Sequence, residues 1–386
     1  MAPSPPAAFP RHNNFDLLRL IAALQVVYFH VLFHLRPRMG SVGTPLRILL
    51  GPFSGVPIFF LISGFLVSAS FERNPAVRRY LRNRAVRIYP ALWVCLLVTV
   101  LILGIGGYLR SALHGPSFAS WLLAQATFAQ FVHLRAFRGF GTGVPNGSLW
   151  TIPVELGFYL CVPILYFLFL RDRRLKSTFL LVALAALSST LAALMAIRDP
   201  NNLHTATKLL AETPLPYGDL FLLGILSQRH FVALSRIFVG KVLWWSIAFY
   251  SITAIIPAHP CTVALGWCPV QESPRDASLV TLSHILLAGL VFSIAFSVPT
   301  LSNRLLRGHD VSYGVYLFHM LLVNLAVAAG LAGRPWLVPV LLMASLLVGW
   351  ISWQLVELPS LTRWKSGASR SRIVTSRSHR PRTSTT

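Results

Sequence analysis

Apolar residues run along this chain in long blocks, not in an alternating or one-sided pattern, and short polar stretches rich in arginine separate the blocks. Ten blocks are long and apolar enough to cross a bilayer as helices: residues 16–35, 52–71, 88–107, 149–170, 178–197, 214–228, 242–257, 279–298, 311–331 and 335–356. The sixth is the shortest and is interrupted by Gly218, Asp219 and Gly224. Phe118 to Phe131 is apolar but too short to span, and suits an interfacial or re-entrant helix in the long third connection. In hydrocarbon every backbone group needs an internal partner. The pattern therefore predicts an all-α, polytopic membrane bundle of about ten transmembrane helices.

The flanks differ. Residues 1–14 are Pro-rich and form an expected disordered N-terminal segment; residues 15–360 form the transmembrane domain; residues 361–386 turn to Arg, Ser and Thr. Such a tail is expected to be disordered and to adhere to anionic lipid headgroups. The first block lacks a small-residue cleavage site and exceeds a signal-peptide core, so it reads as a retained span. No internal repeat is visible, which removes sequence support for an inverted-repeat transporter.

Composition agrees with the blocks. Of 386 residues 55% are hydrophobic and 12% charged, with a mean hydropathy of +0.64; a soluble domain carries about 25% charged residues. The net charge of +23 does not point to nucleic acid, because no soluble basic domain is present to bind it. With the N-terminus inside, 23 of the 34 basic residues fall on inner segments and 10 on outer ones, Arg19 lying within a span. That bias places both termini in the cytoplasm. Cys95 and Cys161 lie in spans as small packing residues, whereas Cys261 and Cys268 share one outer loop where a disulfide is allowed. A zinc site using His259 with that pair has no recognised ligand spacing, and no metal is expected.

Polar residues inside apolar blocks carry the candidate chemistry, since they are costly in lipid unless they serve a cavity or a partner helix. Arg19 and His30 are eleven residues apart in the first span, almost three turns, so they share a face at two depths roughly 16 Å apart. His34 is one turn nearer the outer interface. Glu155, in the fourth span, is expected at the depth of His30, where a carboxylate and an imidazole can form an acid/base pair or a structural interhelical bond. Tyr159 shares its face. Arg84 and Arg87 run into Ile88-Tyr89-Pro90 at the inner edge; guanidinium forks there suit a phosphate-bearing ligand or lipid headgroups. Asn146-Gly147-Ser148-Leu149-Trp150 forms a turn and interface anchor leading to Glu155. Ser63 lies among small residues that permit close helix approach or ligand access. Tyr313 and His319 fall in the ninth span, where His319 lines the same cavity or supports a neighbouring helix. Glu357 closes the tenth at the inner surface, where an acid can pair an arginine.

Taken in order, these marks resemble the acyltransferase-3 family of integral membrane O-acyltransferases, which acylate O-antigens, exopolysaccharides and macrolides. The resemblance runs from about Asn13 to Pro359 through Arg19 with His30, Gly55 to Phe65, Arg84 to Pro90, Ser148 through Glu155, Ser312-Tyr313 through His319, and Glu357. It implies transfer of an acyl group, with acetyl expected, from cytoplasmic acyl-CoA to a hydroxyl of a saccharide or glycosylated acceptor. No cofactor is held permanently; acyl-CoA is the donor substrate. His30 would be the catalytic imidazole and Glu155 would orient it or balance its charge. Arg19 would hold the donor or gate its path, Arg84 and Arg87 would meet the CoA phosphates, and Ser63, Trp150, Tyr313 and His319 would contact substrate or support the site. Many relatives carry a fused extracellular hydrolase-like domain that is absent from this sequence. Low Lys and high Arg usage suggests a GC-rich genome, hence a bacterial inner membrane. Acceptor choice is expected to reside in the outer loops, above all Tyr108 to Pro145. A transporter or flippase using Arg19, His30 and Glu155 as a substrate or proton path is the rival reading.

Overall fold

The computed structural model describes residues 10, 12–38, 40–113, 117–171, 175–199, 204–256 and 274–364. Cys261, Cys268 and His259 lie outside the described residues, as do most of the expected terminal segments. Among the described residues every element is helical. The helices are α1 Phe15–Leu35, α2 Gly40–Leu50, α3 Gly55–Arg73, α4 Val77–Ile105, α5 Leu109–Ala112, α6 Ser117–Ala126, α7 Thr151–Leu165, α8 Leu175–Arg198, α9 Thr205–Ala211, α10 Gly218–Arg229, α11 Phe231–Phe238, α12 Val242–Thr253, α13 Pro274–Ser297, α14 Leu301–Leu306, α15 Ser312–Ala328 and α16 Leu337–Ser352. Among the described residues seven helices are long and apolar enough to cross a membrane, or up to nine if each of two bent pairs is one span. The bent pairs are α9 with the helix ending at Arg229 (56°) and α11 with α12 (84°). α15 is apolar but 17 residues long, four fewer than the shortest of those seven. This is a multi-pass membrane protein by the length and composition of its helices.

Helices outrun the apolar blocks where arginine continues them. α4 begins at Val77, eleven residues before the apolar block, so Arg84 and Arg87 stand on a helix, one turn apart on one face. Arginine is a good helix former, and hydropathy marks the hydrocarbon section of a helix, not its ends. The interrupted sixth block resolves into a short turn at Leu215–Tyr217 followed by α10. Its glycine is a packing device: a Cβ on Gly224 would lie 2.3 Å from the Leu61 carbonyl oxygen, and one on Gly64 only 2.0 Å from that of Phe221. α3 and α10 therefore meet backbone to backbone, the geometry that small residues permit in membranes.

The core lies where α1, α3, α10 and α13 converge. Phe15, Phe65, Phe292 and Phe296 interlock there, with ring centroids 5.3 Å apart for Phe15–Phe65 and 5.2 Å for Phe65–Phe292. Asn14 docks the start of α1: its amide donates to the carbonyls of Ile294 (3.0 Å) and Val298 (2.7 Å), and its oxygen accepts from the Ser302 N–H. On the other side α1 packs against α15 and α16. The long third connection contains α5 and α6, with the apolar stretch at 118–131 forming most of α6. Asn324 fastens this connection to α15 by donating to Val144 and Pro145 and accepting from the Thr142 N–H at 2.7 Å.

Candidate functional site

A cavity of about 870 Å³ opens between α1, α3, α4, α7 and α15. α3 lines it with Val56, Phe59, Phe60, Ser63, Leu66, Ser70 and Arg73, a stripe at helical spacing. From Val56 to Arg73 that stripe rises through 17 residue steps, roughly 25 Å, most of a hydrocarbon thickness of about 30 Å. α4 contributes Arg79, Asn83, Arg84 and Arg87; α7 contributes Thr151, Glu155 and Tyr159; the start of α15 contributes Ser312, Tyr313 and Tyr316. Arg73, Arg79, Asn83, Leu361 and Trp364 gather at the end where α3 stops and α4 begins. Five arginines line the cavity against three carboxylates, Asp16, Glu155 and Asp310.

The arginines are not equivalent. Arg87 donates to Asp310 and, at 3.2 Å, to Glu357, and its guanidinium lies 5.6 Å from the Trp353 ring centre and 5.8 Å from that of Tyr313. Arg19 donates to the same Asp310 oxygen at 3.3 Å and lies 3.9 Å from Asp16. Asp310 thus clamps α1 to α4 from the turn before α15. Burial alone would raise its carboxyl, but Arg87 and Arg19 outweigh burial and hold it below the ordinary carboxylate value. The Ser312 hydroxyl adds a bond at 2.5 Å. Glu357, buried and bonded to Ser352, sits in a π-helical turn over Trp353–Glu357; the expectation that it pairs an arginine is met by Arg87. Arg84 differs: among the described residues it has no carboxylate within ion-pair distance, and its buried Nε has no hydrogen-bond partner. It rests 5.6 Å from the Tyr159 ring and 6.0 Å from that of Tyr80. A guanidinium so placed is open to an anion.

Glu155 accepts from the Tyr159 hydroxyl one turn along α7. Among the described residues no hydrogen bond or ion pair joins it to His30, so these two residues face different neighbours. His30 lies two ring contacts from the cavity wall: Tyr316 lines the cavity and packs 5.7 Å from His319, and His319 packs 5.0 Å from His30. The Tyr316 hydroxyl is held at 2.7 Å by both Thr151 Oγ1 and the Ser148 carbonyl. His30 Nδ1 sits 2.8 Å from the Val26 carbonyl; a carbonyl only accepts, so Nδ1 carries the hydrogen and Nε2 keeps a lone pair. His34 stacks on His30 at 6.0 Å.

Of the expected residues, the cavity brings together Arg19, Ser63, Arg84, Arg87, Glu155 and Tyr313. Tyr313 donates to the Ile88 carbonyl at 3.0 Å. His30 and His319 form a separate pair behind Tyr316. Trp150 packs on Tyr217 at 5.6 Å, away from the lining. Asp310, Asp16 and Trp364 were not singled out by sequence. An acid directly ahead of the Ser312-Tyr313 mark, at an otherwise arginine-dominated edge, was the available signal for Asp310.

An arginine-lined cavity reaching toward paired imidazoles, on a helical membrane scaffold, defines a class that sequence comparison narrows further. The chain belongs to the acyltransferase-3 family: the family model, described as an acyltransferase domain, matches residues 12–354. It is 36% identical over 372 residues to nodulation protein 10 of Rhizobium leguminosarum bv. viciae, covering 94% of this chain and 96% of that one. It is 31% identical over 160 residues to the O-acetyl transferase of Shigella phage Sf6, covering 39% and 44%. The peptidoglycan O-acetyltransferase OatA of Listeria monocytogenes is 27% identical over 165 residues, covering 41% and 24%. No solved structure matches. The protein is accordingly an enzyme that transfers acyl groups, and the transporter or flippase reading is not favoured.

Proposed function

We propose that this enzyme moves an acyl group, acetyl in the first instance, from cytoplasmic acyl-CoA to a hydroxyl of a saccharide or glycosylated acceptor. The observation that carries this reading is the cavity, polar and cationic at one end, with Arg84 lacking an acid partner and the imidazoles beyond its far wall. CoA is a polyanion, and Arg84 with its neighbours Arg73 and Arg79 offers bidentate partners for its phosphates. Arg19 and Arg87, tied to Asp310, shape the donor path. Glu155 and Ser63 flank that path, with Tyr313 supporting α4. Trp150 braces α7. His30 is the catalytic imidazole. Its Nε2 takes the acceptor's hydroxyl proton as that oxygen attacks the thioester carbonyl; the C–O bond forms, the C–S bond breaks, and the CoA thiolate recovers the proton. The names of the phage and Listeria relatives support O-acetylation, and the Listeria name supports a saccharide polymer as acceptor class. In this reading ten helices cross a bacterial inner membrane, both termini are cytoplasmic, and anionic lipid meets the basic inner edge.

The test is transfer of radiolabel from acetyl-CoA to a panel of glycans by purified protein. His30→Ala is expected to lower the rate at least a hundredfold while acetyl-CoA still binds. Arg84→Gln is expected to weaken acetyl-CoA binding with little effect on saturated rate. Transfer unaffected by His30→Ala would remove His30 from the chemistry.

A further inference from the structure

His30 and His319 meet across α1 and α15 with ring centroids 5.0 Å apart and ring planes at 68°. Both rings are pinned in the same way. His319 Nδ1 lies 2.7 Å from the Tyr316 carbonyl, as His30 Nδ1 lies 2.8 Å from that of Val26. Each Nδ1 therefore carries the hydrogen and each Nε2 presents a lone pair. His319 is fully buried, and among the described residues its Nε2 has no hydrogen-bond partner. A histidine kept for packing alone is expected to satisfy both nitrogens, and a leucine would fill the space without an orphaned acceptor. That lone pair points to a hydrogen that arrives during function.

The surroundings of His30 name the source. When Nε2 takes a proton, the ring becomes a cation in a buried place. Among the described residues, the titratable groups that ring contacts link to it are His34 on its own helix, 6.0 Å away, His319 on α15, and Tyr316 behind His319. α16 carries no titratable side chain, and α3 carries none before Glu72 at its far end. Arg47 of α2 is near Tyr28, and α13 and α14 dock at the opposite end of α1, around Asn14 and Phe15. Glu155, the carboxylate expected beside His30, is engaged with Tyr159 in the cavity wall. Among the described residues no carboxylate hydrogen-bonds or ion-pairs with His30 to hold the new N–H, and the ring that packs on His30, that of His319, has a vacant acceptor.

We propose that His319 is the proton partner of His30. As the acceptor's O–H bond breaks and its oxygen joins the acyl carbon, the proton on His30 Nε2 is held by the lone pair of His319 Nε2. When the C–S bond has broken, the proton passes to the CoA sulfur and both rings return to neutral. His319 acts through His30 and is a positioning residue. The inference rests on the acyl-transfer reading of His30.

The full-length protein, purified in detergent, is assayed with acetyl-CoA and methyl glycosides, reading both thiol release and label transfer. His319→Leu is expected to lower kcat about ten- to a hundredfold while the KM for acetyl-CoA is unchanged. His319→Gln, whose amide can place an oxygen where Nε2 stood, is expected to recover much of that loss. His319→Asn, which reaches only the Nδ1 position, is expected not to. Wild-type kcat in His319→Leu, or equal rates for the Gln and Asn variants, would overturn the proposal. If His319→Leu does not give a monodisperse protein, the Gln and Asn pair decides alone. His30→Ala is run alongside. Wild-type rate in that variant defeats the role of His30 itself, whereas an inactive His30→Ala with an unimpaired His319→Leu defeats only the partnership.

Discussion

Asp310 is the residue on which the cationic end of the cavity depends, because one carboxylate oxygen serves both Arg19 and Arg87. Removing one member of a part-buried ion network leaves the others desolvated without compensation, so Asp310→Asn is expected to cost up to about 3 kcal/mol at neutral pH. Its acid dependence follows from the depressed carboxyl. A group whose folded value lies below its unfolded value, about 3.9 for Asp, stabilises above the unfolded value and ceases to do so as pH falls through the folded one. Thermal melts of purified wild type and Asp310→Asn should thus differ most near pH 7 and converge below about pH 4. A gap that stays constant down to pH 3 would show that the arginines are not what holds the carboxyl ionised. Arg19, Arg84 and Arg87 were legible as cations near the inner edge, since charge is visible in a sequence. Which of them is neutralised was not, because that depends on an acid 291 residues from Arg19 in the chain.

Elements met expectation best where their signal was a property of one stretch of chain. α1, α3, α8 and α13 follow their apolar blocks closely, because burial in lipid demands a continuous apolar run. The sixth and seventh blocks each form the second helix of a bent pair whose first helix lies before the block, since short apolar runs do not by themselves say what precedes and joins them. The contact between α3 and α10 is an element-scale consequence of two glycines. A methyl on Gly64 would come 2.0 Å from a backbone carbonyl, and backbone cannot swing aside as a side chain does. Gly64→Ala is therefore expected to push the helices apart and cost about 1–3 kcal/mol, read as a lower melting temperature in detergent. Arg84 and Arg87, two turns or more inside α4, would be carried with any such shift only through α3, so acetyl-CoA binding is the second readout. An unchanged melt would mean that α3 and α10 are not in backbone contact.

At the scale of the molecule, the arginine bias gives the bundle its proposed orientation, and α15 provides a sharp check on it. This helix is 17 residues long, short for a span, and has the exposed Arg304 before it and the exposed Arg334 after it. If α15 crosses with its start inside, a membrane-impermeant maleimide applied to intact cells labels Arg334→Cys and leaves Arg304→Cys unlabelled, each in a background lacking the four native cysteines. Labelling of both would place the two ends of α15 on one side and undo the orientation argued from charge. The same helix follows the turn that holds Asp310 and carries Tyr313 and Tyr316 in the cavity and His319 behind it, so its crossing sets the order of the whole site.

Sequence alone determined the class of solvent, the helical architecture, the enzyme family and the identity of the costly polar residues. Each of these is local: a hydrophobic run, a charge count, or a short motif in order. Tertiary structure decided the partnerships. It left Glu155 with Tyr159, gave Asp310 to Arg19 and Arg87, and set His319 beside His30, with Arg84 open to the cavity. Depth along a helix can be counted from rise per residue, but the azimuth at which two helices present their side chains to each other is set by packing. Two polar residues at one depth therefore remain candidates for contact until the neighbouring helices choose their faces.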